Sequence, residues 1–106
     1  MRRLELSDEA FLDLGRIFDF MLQRELESAA GDPAVADRAV AQIMRQLRAV
    51  PRAPLIYRQV EDAEVASVRE LVIRFGQTGF VAVFKVIDDE RVLVLGVRHQ
   101  REEAVR

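Results

Sequence analysis

The sequence predicts an α+β fold, and three observations predict it. An isolated strand-like segment opens the chain, two consecutive amphipathic segments of helical period follow, and three strand-like segments separated by short turn compositions fill the C-terminal part. Helices and strands are therefore segregated along the chain. The expected order is strand, helix, helix, long loop and three-strand meander (β-α-α-β-β-β), with an antiparallel two-helix hairpin packed on one face of a mainly antiparallel sheet. A chain of 106 residues has the length of one domain, expected to span 1–106.

Residues 2–6 place Leu4 and Leu6 on one side and charges on the other, as an edge strand would. Ser7 follows as a helix N-cap, with Asp8 and Glu9 in the first turn where negative charge suits the helix dipole. Apolar residues recur at Phe11, Leu14, Phe18, Met21 and Leu22, predicting a helix that runs to about Ala30. Gly31 is expected in the left-handed position that closes it, with Asp32 as the next cap and Pro33 as the first position of the next helix. The second helix carries Ala36, Ala39, Val40, Ile43, Met44, Leu47 and Val50 at the same period and stops before Pro51. So short a connection makes the two helices antiparallel.

Residues 51–66 show neither period, contain Pro51 and Pro54, and read as a long loop carrying Arg52, Tyr57 and Arg58. Strands are predicted at 67–75, 80–87 and 91–98. Gly76-Gln77-Thr78-Gly79 and Asp88-Asp89-Glu90 join them, and both are turn compositions short enough to impose an antiparallel meander.

Composition narrows the function. With 50% hydrophobic and 32% charged residues the chain is an ordinary globular one. It has no cysteine, which excludes disulfides, thiolate metal sites and a cysteine nucleophile, and its single histidine makes a zinc site improbable. No glycine-rich phosphate loop and no Gly-x-Ser-x-Gly appears, so neither a metal nor a cofactor is expected. Charges occupy the first few residues with no long apolar run behind them, so a signal peptide and a membrane span are not expected and the cytoplasm is the expected location. The net charge of -2 argues against a surface devoted to nucleic acid. Locally the balance reverses: Arg45, Arg48, Arg52 and Arg58 occur with no acid among them.

The strands carry an oddity. A sheet covered on one side should alternate apolar with polar residues, yet Phe80, Ala82, Phe84 and Val86 are backed by Val81, Val83 and Ile87, and Leu93, Leu95 and Val97 by Val92 and Val94. Two helices cover one face only. Either the strand ends, the long loop and the N-terminal strand cover the second face, or a partner segment or a second copy of the chain lies on it or on the sheet edge; the latter is the expectation, with Phe80, Val81, Val83, Phe84, Val92 and Val94 as its contacts.

His99, just past the last predicted strand in Val97-Arg98-His99-Gln100-Arg101, invites an acid–base role, with Arg69 and Arg98 to hold a phosphodiester. A lone histidine at a strand end is more often a structural hydrogen-bonding residue, and that plainer reading carries the greater weight.

Val68-Arg69-Glu70-Leu71, the strand from Phe80 to Lys85, and Val92-Leu93-Val94-Leu95-Gly96-Val97-Arg98-His99-Gln100-Arg101-Glu102 together resemble the ParE branch of the ParE/RelE toxin superfamily. Arg-Glu-Leu on the first meander strand and a hydrophobic strand ending in His-x-Arg are recurrent in that family, and the order of elements matches over nearly the whole chain. The resemblance implies a RelE/ParE-like fold and the toxin of a type II toxin–antitoxin system, of the kind also described as plasmid stabilisation. In the ParE branch the toxin inhibits DNA gyrase and a ParD-like antitoxin wraps it with a helix and an extended segment, so DNA is met only indirectly. A homodimer or a heterotetramer with the antitoxin is the implied assembly, and the six apolar strand residues become the implied antitoxin contacts. In the RelE branch the same fold is a ribosome-dependent mRNA endoribonuclease, which would use Arg69, Arg98 and His99. This chain departs from the nucleases: it is acidic, has one lysine, Lys85, and its one tyrosine is Tyr57 in the loop. Gyrase inhibition is therefore the favoured expectation, with Arg69, Arg74, Arg98, His99 and Arg101 on the target-binding side; a ribonuclease or a degenerate, non-toxic member are the alternatives.

Overall fold

The computed structural model describes residues 2–60 and 67–100. Its elements are β1 (Arg3–Leu6), α1 (Asp8–Glu27), α2 (Ala34–Ala49), two 3₁₀ turns (Val50–Arg52 and Pro54–Ile56), β2 (Arg58–Gln59), β3 (Val68–Phe75), β4 (Thr78–Val86) and β5 (Arg91–His99). The class is α+β as predicted, with one strand that the sequence did not reveal. β2 is two residues long, too short to display a period, and lies antiparallel to β3 with Arg58 opposite Glu70.

Helix α1 begins as its sequence dictates. Ser7 accepts the Ala10 N–H at 3.0 Å on its hydroxyl oxygen, and Ala10, Leu14, Ile17 and Met21 form the buried stripe. Its end corrects the expectation. The helix stops at Glu27, and Gly31 is not left-handed; Gly76 is the positive-φ glycine among the described residues. Glycine is required at 31 for space: a Cβ there would lie 1.9 Å from the Glu25 carbonyl oxygen. Asp32 caps α2 through its Oδ1, which accepts the Ala34 N–H at 3.0 Å, and Pro33 already has helical dihedrals.

The Ala34 N–H and, next, the Arg38 guanidinium hold the Asp32 carboxyl below its ordinary value of 3.8. A group whose pKa falls on folding adds stability above its unfolded pKa and loses it as pH drops through the folded one. Asp32→Ala is thus expected to be less stable than the parent at neutral pH, with the gap narrowing as pH falls below 3.8. Paired thermal melts across that range would check it; a gap independent of pH would refute it.

The five strands run in the order β1-β5-β4-β3-β2. β3, β4 and β5 form the predicted meander, with Gly76 at φ 59 in the two-residue loop between β3 and β4. β1 joins β5 in parallel, Leu6 opposite Val94, so the sheet is mixed. One irregularity reorganises its last strand. Val83 faces Gly96 while Phe84 faces Val94, which leaves Leu95 as the extra residue of a bulge. A bulge switches the side-chain alternation, so Val92 and Val94 before it and Val97 and His99 after it are all buried. This corrects the pairing of Val97 with Leu93 and Leu95 on one face.

The core lies between the helix hairpin and one face of the sheet. Ile43 and Leu47 of α2 and Leu14 and Ile17 of α1 join Phe80, Phe84, Val92 and Val94 in one buried cluster. The other face carries Val72, Val81, Val83 and Leu93, with Glu70, Arg74, Lys85 and Arg98 among them. No helix among the described residues is long and apolar enough to cross a membrane.

Candidate functional site

Beyond Leu6, β1 no longer accompanies β5, and helix α1 takes over the exposed strand edge. The Ser7 hydroxyl donates to the Leu95 carbonyl at 3.1 Å, and the Val97 N–H donates to Asp13 Oδ2 at 3.0 Å. Gly96 lets the carboxylate approach, because a Cβ there would stand 3.2 Å from Asp13 Oδ2. Between α1 and this edge runs a groove of about 670 Å³. Ile17, Phe20 and Val97 supply apolar lining, while Glu9, Asp13, Arg16 and Arg98 supply charge, Arg16 being paired with Asp13 at 3.4 Å, and His99 also lines it. Among the described residues no strand pairs with the outer edge of residues 96–99. A strand edge beside an apolar wall suits an extended peptide, and the lining balances two carboxylates, Glu9 and Asp13, with two arginines, Arg16 and Arg98.

The predicted site residues converge only in part: Arg98 and His99 both line this groove, and the others stand elsewhere. Arg69 is turned inward: its Nη1 donates to the Tyr57 carbonyl at 2.8 Å and to the Leu55 carbonyl at 3.3 Å. His99 is 6% exposed, lies 2.8 Å from Thr78 Oγ1, and packs edge-on against Phe80 and Phe20 at centroid distances of 5.5 and 6.1 Å. Arg98 points to the opposite face of the sheet, which Arg74 shares. Arg69 pairs with Phe84 and His99 with Phe80, four positions apart on β4, or roughly 13 Å at about 3.3 Å per residue. Arg74 and Arg98 thus share a face of the sheet, Arg98 and His99 both line the groove beside α1, and Arg69 stands apart from that groove; Arg101 lies outside the described residues.

Of the six apolar strand residues expected to meet a partner, Phe80, Phe84, Val92 and Val94 are fully buried under the helices. Their surface is spent on the chain's own core. Val81 and Val83 stand on the other face, where Val81 is 3% exposed through its neighbours within the sheet. The large exposed apolar side chains are elsewhere. Phe11, Leu12, Phe20 and Leu26 project from α1, Leu55 and Ile56 from the second 3₁₀ turn, and Val72 alone from the sheet. Helical spacing concealed those of α1, because Phe11 fits the same period as the buried Leu14. The signal that was available was the width of the stripe: apolar residues at 11, 12, 14, 17, 18, 20, 21, 22 and 26 exceed what one buried face needs.

The helical hairpin on a five-stranded mixed sheet, with a groove between α1 and the edge of β5, defines a small α+β protein of ParE-like fold. The family model described as ParE toxin of type II toxin–antitoxin system, parDE, matches residues 4–104. The chain belongs to the ParE toxin family. A solved structure titled "Chromosomal ParDE TA system from P. aeruginosa" has the same fold, with a TM-score of 0.71, 23% identity, and coverage of 93% of this chain and 96% of that one. No curated protein matches the chain significantly in sequence.

Proposed function

We propose that this toxin acts in the cytoplasm by inhibiting DNA gyrase, without catalysing a reaction of its own, and is neutralised by a ParD-like antitoxin. The observation that carries this reading is how the candidate catalytic groups are engaged: Arg69 grips loop carbonyls away from the groove, and His99, which lines the groove with Arg98, is buried, packed edge-on against Phe80 and Phe20 and 2.8 Å from Thr78 Oγ1. So held, the imidazole serves the packing of the strand end rather than proton transfer to a phosphodiester. Family membership supports an antitoxin partner. The groove along residues 96–99 is its proposed seat, because an extended segment there would gain backbone hydrogen bonds from the strand edge and bury apolar side chains against Ile17 and Phe20.

Purified protein added to a gyrase supercoiling assay is expected to inhibit it at micromolar concentrations, and the co-expressed antitoxin to relieve that inhibition. His99→Gln, which keeps a hydrogen-bonding side chain, is expected to retain the activity. Absence of inhibition would reject gyrase as the target; translation-dependent mRNA cleavage that His99→Gln abolishes would favour the ribonuclease.

A further inference from the structure

Residues 54–57 form a small, deliberately anchored projection. Pro54 is fully buried on one side of it, and Tyr57 on the other packs edge-on against Phe84 at 5.6 Å. Between these anchors Leu55 is 60% and Ile56 78% exposed, the latter the most exposed large apolar side chain described. Arg69 fixes the projection from below through the Leu55 and Tyr57 carbonyls, with its buried Nε left without a hydrogen-bond partner among the described residues. A buried donor so left costs stability, and a loop so held does not hide its aliphatic tip by collapsing. The fold therefore presents Leu55 and Ile56 in a set position.

Exposed arginines precede the projection in the chain. Arg48 lies in the last turn of α2 and Arg52 at the end of the first 3₁₀ turn, and Arg52 is three residues from Leu55, within about 11 Å along the chain. Arg58, next after Tyr57, is paired with Glu70; Arg48 and Arg52 make no ion pair with the described residues. The acids that follow, Glu61, Asp62 and Glu64, lie outside the described residues. In a chain of net charge -2, two arginines without an ion pair to the described residues, close in sequence to an exposed aliphatic pair, are a local feature that selects for partner chemistry.

We infer that Leu55 and Ile56, with Arg52 three residues before them and Arg48 one helical turn earlier in the chain, form the surface with which the toxin docks on its cellular target, and that the target offers an acidic, apolar protein patch. The inference rests on the proposed reading that the toxin acts by binding a protein. Two aliphatic side chains are fewer than a membrane-binding helix buries, and an apolar tip at the centre of the patch has nothing to offer a phosphate backbone. The projection belongs to the β2 side of the sheet, whereas the groove proposed for the antitoxin follows β5 at the other side. Target and antitoxin would then occupy different faces.

The test uses the full chain with Leu55→Ser and Ile56→Ser combined and, separately, Arg48→Glu and Arg52→Glu combined. Both sets change exposed side chains, and thermal melts would verify folding. Growth arrest on induction, gyrase inhibition, and binding to the antitoxin would be measured for each. A tenfold or larger loss of arrest and inhibition in both variants, with antitoxin binding unchanged, is the expected result. Loss of arrest in the variants when the parent arrests growth without touching gyrase would support the surface and reject gyrase. Undiminished arrest in the serine variant, a parallel loss of antitoxin binding, or a parent that causes no arrest would each overturn the inference. So would parent binding to phosphatidylglycerol vesicles that the serine variant loses.

Discussion

Phe84→Ala is expected to destabilise the isolated protein by about 3–5 kcal/mol. Phe84 has no exposed surface, stands in the central strand, and takes the edge of the Tyr57 ring on its face of the sheet. Truncation removes the buried ring and leaves a cavity that the flanking β3 and β5 backbones are too constrained to fill. Domains of this size are stable by roughly 5–15 kcal/mol, so much of the margin would go, and the anchor of the 54–57 projection with it. The variant separates two roles for the residue. A partner contact would lose affinity while the isolated chain kept its stability; a core residue would lose stability with no partner present. Urea unfolding of Phe84→Ala beside Val83→Ala, whose site on the opposite face is only partly buried, would check this. Equal midpoints for the two variants would contradict the placement of Phe84 in the core.

Removing the Asp13 carboxylate is expected to have the next largest effect, about 1–3 kcal/mol. Its Oδ2 accepts the Val97 N–H where β1 has ended, so the side chain performs for one residue what a neighbouring strand would do. Asp13→Ala would leave that N–H at the strand edge without its acceptor, and the methyl group could not reach it. Water entering the groove would recover part of the loss, which keeps the estimate below that for a sealed site. The effect should be local. Amide hydrogen exchange at Val97 is expected to speed up strongly in Asp13→Ala and only modestly in Asp13→Asn, whose side-chain oxygen still accepts. Unchanged protection of Val97 in Asp13→Ala would show that the carboxylate does not secure the edge. The same variant frees the edge for an incoming strand, so antitoxin binding at the proposed seat should not weaken.

Much of this architecture was legible because it is written locally. Ser7 caps α1, Asp32 and Pro33 start α2, and Gly76 turns β3 into β4, each through interactions spanning a few residues. The apolar periods located both helices and all three strands of the meander. The candidate site was much less legible. Arg69, Arg98 and His99 looked like a cluster because they share a strand-rich region and suitable chemistry; Arg98 and His99 do line one groove, yet cross-strand register places Arg69 four positions from His99 on β4. Gly31 looked like a left-handed cap from its position after a helix, but close approach to the Glu25 carbonyl is a contact that a one-dimensional pattern does not record.

Fold class, the order of the helices and of the four longer strands, and the two-helix hairpin follow from the amino-acid order alone, since periodicity and capping are properties of neighbouring residues. Three features came into being only when distant segments met: the parallel pairing of β1 with β5, the bulge at Leu95, and the choice of which apolar residues are covered. The bulge shows the physical reason most directly. One extra residue on one strand moves every later side chain to the other face, and nothing in the local composition of Val94-Leu95-Gly96 states that the partner strand will skip it.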